Sequence, residues 1–292
     1  MKVDLYLMTL KGYEVLKAII NNGFIDVIAN VIIGQDKNVI KDYSGEIIKI
    51  CNQYELNYYY REESFYSESD YSIAISWRWI INSRNTKLIV LHDSLLPKYR
   101  GFSPLVNSLI NGEKFIGVTA IFANEDFDRG DIIFQDRLEV NYPIKIEDAI
   151  NSISMLYTNL VVQIINELKS NKFLESTKQN EQLASYSLWR DEEDYFIDWN
   201  RDAEYIKRFI DALSDPFKGA ASKLNGETVR ILDAELRNDV LIEDRDCGKI
   251  LFIEEGFPIV VCGKGLVKIT KLCDEVGNSI LPLKKFRLKF KK

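Results

Sequence analysis

The side chains best suited to chemistry in this sequence surround its single histidine, His92. His92 directly follows the apolar run KLIVL and precedes a loop in which Pro97 and Gly101 bracket two cations and a phenol. A dense acidic turn, DFDRGD at 126–131, follows a second strand-like run, GVTAIFA. If the two strands are neighbours in a sheet, an aspartate of this turn can reach the imidazole. Such a pair is suited to acid–base work near neutral pH.

An isolated His–Asp pair is more often a satisfied turn histidine beside a solvated loop than a catalytic device. Here the position at the end of a strand and the bracketed loop favour a functional interpretation. Residue types and spacing alone do not name the reaction.

The elements that position His92 follow from hydrophobic patterning in the first half of the chain. Strand and helix patterns alternate there, which predicts a doubly wound, Rossmann-like parallel sheet of the α/β class. The run 87–91 is apolar on both faces, as expected of a central parallel strand. Strands are expected at 2–8, 24–33, 56–60, 71–76, 87–91, 117–123 and 131–135, and helices at 12–22, 45–54, 103–111 and 146–170.

The second half of the chain has a different pattern. A polar stretch at 170–194 has no apolar period and is interpreted as a linker. Beyond it, a helix at 203–213 and short strands with turns predict a small β-barrel or sandwich. The expected domains are 1–180 and 195–292. The short strands are expected at 227–234, 248–254, 258–261 and 266–272.

Composition excludes several classes of protein. The 44 acidic and 38 basic side chains leave a net charge of −6, which argues against a nucleic-acid partner, and the basic tail at 282–292 is interpreted as a solvated edge. No apolar run reaches the length of a membrane span, and no signal-peptide cleavage site is present. The four cysteines lie far apart, which indicates free thiols in the cytoplasm and no metal site.

Two segments resemble the folate-dependent formyltransferase family. HDSLLPKYRG at His92–Gly101 is similar to the family's S-L-L-P-x-[YFW]-R-G loop, which follows its catalytic histidine. GVTAIFANEDFDRGDII at Gly117–Ile133 is similar to the family's G-V-T strand and D-x-G-D-[IM] turn, headed by its catalytic aspartate. The resemblance therefore implies that His92 and Asp128 are catalytic, at the family's spacing of 36 positions.

The resemblance continues in the second half of the chain. FIDW at Phe196–Trp199 looks like the I-D-W that opens the C-terminal region of methionyl-tRNA and sugar-nucleotide formyltransferases. FIDALSDPFKGA at 209–220 and the glycine-containing strands after Cys247 are also similar to that region. This implies a mostly-β, OB-like C-terminal domain.

The implied reaction is N-formylation of a primary amine by N10-formyltetrahydrofolate as co-substrate. The histidine would stabilise the tetrahedral oxyanion or relay a proton, and the aspartate would hold the histidine and help to take the proton of the amine. The segment SIAISWRWII at 72–81 looks closer to the sugar-nucleotide branch, where it lines the pterin slot. The alternative is that its tryptophans are packing residues. The folate-binding residues implied are Trp79, Ile80, Ile81 and Asp126.

The implied acceptor is a dTDP- or UDP-linked amino-deoxysugar of the kind used in O-antigen or S-layer glycans. Its diphosphate needs cations and its base an aromatic surface. The candidates are Arg78, Lys98, Arg100 and Lys218 for the diphosphate, and Trp199 or Phe217 for the base. Related enzymes are often dimers through their C-terminal half, so a homodimer is one option.

One departure from the family pattern leaves alternatives open. The family has Asn-x-His, whose asparagine faces the formyl oxygen, whereas this chain has Val90 two positions before His92. Loss of one oxyanion donor typically costs about 10²–10³ in turnover. Asn82, Asn85 and Asn124 are nearby replacements in the sequence. A non-catalytic folate- or nucleotide-binding protein is one alternative, and a methionyl-tRNA formyltransferase is another, although the charge disfavours it.

Overall fold

The computed structural model describes residues 1–37, 39–82, 86–170 and 172–292. The chain divides into two compact units. The first consists of Met1–Leu105, Phe115–Glu139 and Ala149–Leu188, and the second of Val106–Lys114, Val140–Asp148 and Trp189–Lys292. The predicted domain boundaries at 180 and 195 stay a prediction.

The first unit is built on a seven-stranded sheet. The strands of this unit are β1 (Val3–Leu7), β2 (Ile28–Ile33), β3 (Tyr58–Tyr60), β4 (Tyr71–Ile75), β5 (Lys87–His92), β6 (Arg100–Gly101), β7 (Phe115–Phe122), β8 (Ile132–Glu139) and β9 (Tyr186–Ser187). The order in the sheet is β3-β2-β1-β4-β5-β7-β8; the first five of these strands are parallel to one another, β7 is antiparallel to β5, and β8 is antiparallel to β7. The predicted doubly wound sheet is thus confirmed, with antiparallel pairing at one edge.

Helices cover the sheet because their apolar stripes match its apolar strands. These helices are α1 (Thr9–Asn21), α2 (Ser44–Gln53) and α4 (Ile146–Lys169), whereas most of α3 (Pro104–Asn111) belongs to the second unit. Buried aliphatic side chains of the strands and helices form the core, among them Val3, Leu5, Leu7, Val15, Leu16, Ile19, Val31, Ile73, Ile89, Ile153, Ile164 and Ile165.

The second unit carries α5 (Ala203–Leu213) and a six-stranded antiparallel sheet. Its strands are β10 (Ala220–Leu224), β11 (Glu227–Arg237), β12 (Ile250–Glu254), β13 (Phe257–Val261), β14 (Leu266–Asp274) and β15 (Phe290–Lys291). Their order in the sheet is β12-β13-β14-β11-β10-β15. Ile250 N donates to Leu288 O (3.1 Å) and Phe290 N donates to Gly248 O (2.8 Å), which joins the two edges of the sheet. The sequence analysis did not predict β10 and β15.

The stretch predicted to be a linker is structured in part. It contains β9, three-residue 3-10 turns at Glu181–Leu183 and Glu193–Tyr195, and a bridge between Thr177 and Ile132. Its backbone pairs with other segments, so it needs no apolar period of its own. This explains why the periodicity did not reveal it.

Among the described residues, none of the helices combines the length and apolarity that crossing a membrane requires. No cluster of three or more His, Cys, Asp or Glu side chains suited to a metal ion is found in the same part of the chain. The four cysteines are free thiols.

Candidate active site

The candidate site lies at the carboxyl end of β5, whose last residue is His92. Val90 pairs with Ile121 of β7, and His92 pairs with Thr119. Successive side chains of a strand alternate between faces, so Val90 and His92 project from the same face of the sheet. Val90 is half-buried there and offers no hydrogen-bond donor beside the imidazole.

The imidazole of His92 lies between two acceptors and is 8% exposed. Its Nε2 is 2.8 Å from the carbonyl oxygen of Tyr99, and its Nδ1 is 3.4 Å from Oδ1 of Asp128. A carbonyl only accepts, so Nε2 must donate its proton to Tyr99. In the neutral ring Nδ1 then carries the lone pair, and a proton taken up there lies beside a carboxylate.

The Asp128 turn has a backbone conformation that fixes its carboxylate. Asp128 has a φ of +57°, in the left-handed region, and its Oδ2 accepts from the backbone N–H of Gly101 (2.8 Å). Gly101 itself has a φ of +100°, and a Cβ there would lie 2.5 Å from the carbonyl oxygen of Ser187. Only glycine fits this position. The loop after His92 and the turn at Asp128 are therefore joined by a direct hydrogen bond.

The SLLP part of the loop is anchored by the neighbouring strands. The Thr119 hydroxyl donates to Ser94 O (2.6 Å) and accepts from Leu96 N (3.1 Å). The side-chain amide of Gln135 donates to both Thr119 Oγ1 (2.8 Å) and Leu96 O (3.0 Å). Buried hydrogen bonds of this kind hold the loop in one conformation.

A charged cluster lies beside His92. The carboxylate of Asp93 forms an ion pair with Lys11 of α1 and accepts from the hydroxyl of Tyr157 on α4, which also bonds Leu91 O (3.1 Å). Burial opposes ionisation of Asp93, but the charge and hydrogen bond of Lys11, together with the Tyr157 bond and the nearby His92, lower the pKa of the carboxyl below its usual value. Burial first, and Asp93 second, raise the pKa of Tyr157 well above its usual value, so the phenol stays a donor.

Three of the four predicted folate-binding residues line one cavity of about 420 Å³ in the first unit. Trp77 and Trp79 form part of its wall. Their rings are arranged edge to face, and the ring centroids are 5.2 Å apart. The indole N–H of Trp77 is buried and has no hydrogen-bond partner among the described residues. Asp126 lies elsewhere, exposed on the Asp128 turn and paired with Arg129 (3.2 Å). The lining includes Tyr6, Arg61, Phe65, Trp77, Trp79, Ile80 and Ile81.

Arg100 requires a correction, because its guanidinium is not presented to a ligand. It is 1% exposed, and it donates to both carboxylate oxygens of Glu181 (2.8 Å each) and to Oε1 of Gln179. A bidentate pair of this kind occupies the donors that a diphosphate would need. Arg100 therefore has a structural task in this protein.

The other predicted diphosphate residues are more exposed. Lys98 lies at the surface of the loop after His92, and Arg78 pairs with the buried carboxylate of Asp36. Lys218, in the second unit, is exposed and pairs with Glu192 (3.3 Å).

The two aromatic candidates belong to the second unit. Trp199 is 4% exposed, packs against Phe290 and donates its indole N–H to Ser222 (3.1 Å). This structure gives it no exposed ring face for a nucleobase, so we assign it to the core. Phe217 is half-buried.

The proposed replacements for the missing asparagine are also placed, except Asn85, which lies outside the described residues. Asn82 lines the cavity, and Asn124 is exposed and accepts from Asp126 N (3.1 Å).

Four residues of the site were not found from the sequence, namely Lys11, Tyr157, Gln179 and Glu181. None of the four lies in a recognisable motif. Gln179 and Glu181 lie in the polar stretch at 170–194, which has no hydrophobic periodicity.

In this Rossmann-like sheet an inner strand ends in a histidine held beside a carboxylate, an arrangement of groups that can exchange a proton. Residues 71–165 match the family model described as formyl transferase, and residues 190–286 match that of the formyl transferase C-terminal domain. The chain belongs to the formyltransferase family.

Individual relatives show how far the likeness extends. A curated methionyl-tRNA formyltransferase of Syntrophomonas wolfei is 29% identical over 198 residues, which are 68% of this chain and 62% of that protein. In the first three curated relatives the matched region spans 62–65% of their length.

Two solved structures share the fold. An N-formyltransferase from Helicobacter canadensis, in complex with folinic acid and dTDP-3-aminofucose, has a TM-score of 0.71 at 20% identity and covers 92% of this chain and 98% of its own. The sugar 3N-formyltransferase WlaRD, solved with dTDP and 5-N-formyl-THF, has a TM-score of 0.71 at 19% identity, with coverages of 96% and 98%.

Proposed function

We propose that this protein is an N-formyltransferase that moves the formyl group of N10-formyltetrahydrofolate to the primary amine of a dTDP- or UDP-linked amino-deoxysugar. The observation that carries the proposal is the His92–Asp128 pair, at 3.4 Å and anchored to Gly101, in a chain of the formyltransferase family.

The two side chains divide the chemistry between them. Bound folate supplies the formyl group. Nδ1 of His92 takes the proton that the attacking amine must lose, and Asp128 stabilises the imidazolium that results. That proton is then available to the departing N10 nitrogen as the bond from N10 to the formyl carbon breaks. While it is charged, the ring also stabilises the oxyanion that develops on the formyl oxygen.

The cavity beside Trp79 fits the flat, polar ring of a pterin. Its aromatic wall suits a planar ring system, and the unpartnered N–H of Trp77 offers a donor to a ring carbonyl. A buried donor without a partner costs roughly 1–3 kcal/mol, which a ligand acceptor offsets. Burial, followed by Asp4, raises the pKa of Tyr6 in the same wall to about 12. Its hydroxyl therefore remains protonated and can donate to the ligand.

The acceptor class follows from charge and from the segment 72–81. A net charge of −6 disfavours tRNA, while a nucleotide sugar carries only a diphosphate, for which Lys98 is an exposed cation. The fold shared with two sugar-formylating proteins agrees with this choice.

Methionyl-tRNA formylation is the second candidate, because the curated relatives reported above act on that substrate by name. Purified protein should be mixed with N10-formyltetrahydrofolate and, in separate reactions, a panel of dTDP- and UDP-amino sugars or methionyl-tRNA. Released tetrahydrofolate and product mass are then measured. We expect a product 28 Da heavier, as a formyl group replaces an amine hydrogen, with an amino sugar and none with tRNA. The reverse result would establish the second candidate.

A further inference from the structure

The segment Leu174–Ser187, here called the strap, lies between the two regions that match the family models. Its polar sequence was interpreted as a linker, yet it is fixed at both ends. Leu174 is 3% exposed and Ser187 is 6% exposed. The strap also forms backbone bonds with the two segments that build the candidate active site.

At its start, the strap pairs with the chain that leaves the Asp128 turn. Thr177 and Ile132 exchange two backbone hydrogen bonds of 2.8 Å. At its end, it pairs with the loop after His92. There Arg100 N donates to Ser185 O (2.9 Å) and Phe102 N donates to Ser187 O (3.0 Å).

Gln179 joins the two segments through a single side chain. Its Nε2 donates to the carbonyl oxygens of Asp128 and Gly130, both at 2.8 Å. Its Oε1 accepts from Nη2 of Arg100 at 2.8 Å and from Nε at 3.1 Å. One amide thus uses both its donors on the aspartate turn and its acceptor on the histidine loop.

Glu181 reinforces the same junction with charge. Its two carboxylate oxygens accept from Nη1 and Nη2 of Arg100, and one of them also accepts from Arg129 of the aspartate turn (3.1 Å). The Arg100 side chain, from the loop after His92, and the Arg129 side chain, from the Asp128 turn, therefore share one carboxylate.

The consequence for the imidazole is direct. Tyr99, which accepts the Nε2 proton of His92, directly precedes Arg100, and Asp128 faces Nδ1. The 3.4 Å separation of Nδ1 and Oδ1 is loose for a hydrogen bond, so small shifts of either segment change whether it forms. A 1 Å misplacement of reacting groups can cost about 10²-fold in rate.

We propose that Gln179 is a positioning residue that sets the distance between Asp128 and His92 by bonding both of their segments at once. Both donors and the acceptor of its side-chain amide are used on these two segments. The effect on rate rests on the proposed formyl transfer, whereas the effect on the His92 ring does not.

The test variant is Gln179→Met, which keeps the length of the side chain and removes its donors and acceptor. Gln179→Ala removes the same bonds with a smaller side chain and serves if the first variant does not fold. The matched control is Gln182→Met, the same change at an exposed glutamine of the same strap.

Because the chain has a single histidine, every histidine signal in a nitrogen NMR spectrum comes from His92. In tag-free protein labelled with ¹⁵N-histidine, the ring gives one Nδ1 and one Nε2 signal, and these report its proton positions and bonding. Turnover and KM for N10-formyltetrahydrofolate are measured beside them, at a temperature where circular dichroism shows all variants folded.

We expect Gln179→Met to shift the ring signals at neutral pH and to lower kcat about 10- to 100-fold, with KM changed less than about threefold. Gln182→Met should match the wild type in every measurement. A folded Gln179 variant with wild-type ring signals and kcat would overturn the positioning role, even if its Tm were lower. If the wild type transfers no formyl group, the proposed function fails, and the ring signals alone still decide the role of Gln179.

Discussion

The imidazole of His92 lies beside two hydrogen-bond acceptors, and their positions determine which of its nitrogens can exchange a proton. Nε2 is used by the carbonyl of Tyr99, so the atom that can exchange a proton is Nδ1, beside Asp128. The sequence predicted the pair from strand order and the resemblance. It did not reveal the carbonyl, because a backbone acceptor leaves no trace in residue types.

Val90 provides the clearest test at the residue scale. It projects from the same face as His92, and its side chain cannot donate. We expect Val90→Asn to raise kcat about 10-fold or more, because an added donor stabilises the developing oxyanion. Steady-state formyl transfer measures this. Val90→Leu, which matches asparagine in size and cannot donate, is the control.

Equal rates in wild type and Val90→Asn would show that another group already supplies the oxyanion contact. Comparable gains in both variants would assign the effect to size.

At the scale of elements, the end of β5 is attached to α1 and α4 by a buried cluster. Lys11 of α1 and Tyr157 of α4 both contact the carboxylate of Asp93, the residue that follows β5. Removing one partner of a buried ion pair leaves an uncompensated charge, at a typical cost of about 3–5 kcal/mol. Because Asp93 is 17% exposed, we expect Lys11→Met to lower the free energy of unfolding by about 3 kcal/mol.

Denaturant unfolding measures this loss. Lys17→Met on the same helix removes a half-exposed pair with Glu14 and should cost less than about 1 kcal/mol. Similar values for the two variants would show that the buried cluster is energetically neutral.

One carboxyl group of the strap, that of Glu181, has a strongly lowered pKa. The bond from Arg100, and then its charge and that of Arg129, lower the pKa of Glu181 from 4.5 to about 2. A carboxyl whose pKa is lower in the folded state stabilises the fold above its unfolded pKa, and this contribution disappears as the pH falls through the folded value. The stabilising effect of Glu181 should therefore be complete above about pH 4.5 and lost toward pH 2.

We expect Glu181→Gln to be less stable than wild type at pH 7, with the difference shrinking as the pH falls below 4.5. Urea unfolding between pH 7 and pH 3 follows this trend. Glu175→Gln, at an exposed position of the same strap, is the control and should show no such trend. A pH-independent difference for Glu181→Gln would contradict the ion-pair explanation.

The elements also show where sequence reasoning succeeds and where it stops. Periodicity predicted β5 to within one residue and α5 at its observed bounds, since both bury a continuous apolar face. It failed for the strap and for β15, whose places are set by backbone pairing with distant segments. Arg100 was assigned to a ligand because its partner Glu181 lies 81 positions away.

At the scale of the whole molecule, charge bears most directly on the acceptor. The chain carries a net charge of −6, and only six of its 38 basic residues lie in the basic tail at 282–292. Binding of nucleic acid depends on neutralised phosphates and weakens steeply with salt. We expect no gel shift of methionyl-tRNA even at about 50 mM salt, where such contacts are strong. A salt-sensitive shift would favour the tRNA acceptor over the nucleotide sugar.

The central claim is that His92 and Asp128 carry out formyl transfer, and His92→Ala tests it most directly. With the acceptor that the wild type uses, formyl transfer is measured by released tetrahydrofolate and product mass. Affinity for 5-formyltetrahydrofolate is measured alongside, as a probe that the folate site is intact. We expect kcat to fall about 10²- to 10⁴-fold while this affinity changes less than about threefold. Turnover within threefold of the wild type would contradict the assignment of His92 to catalysis.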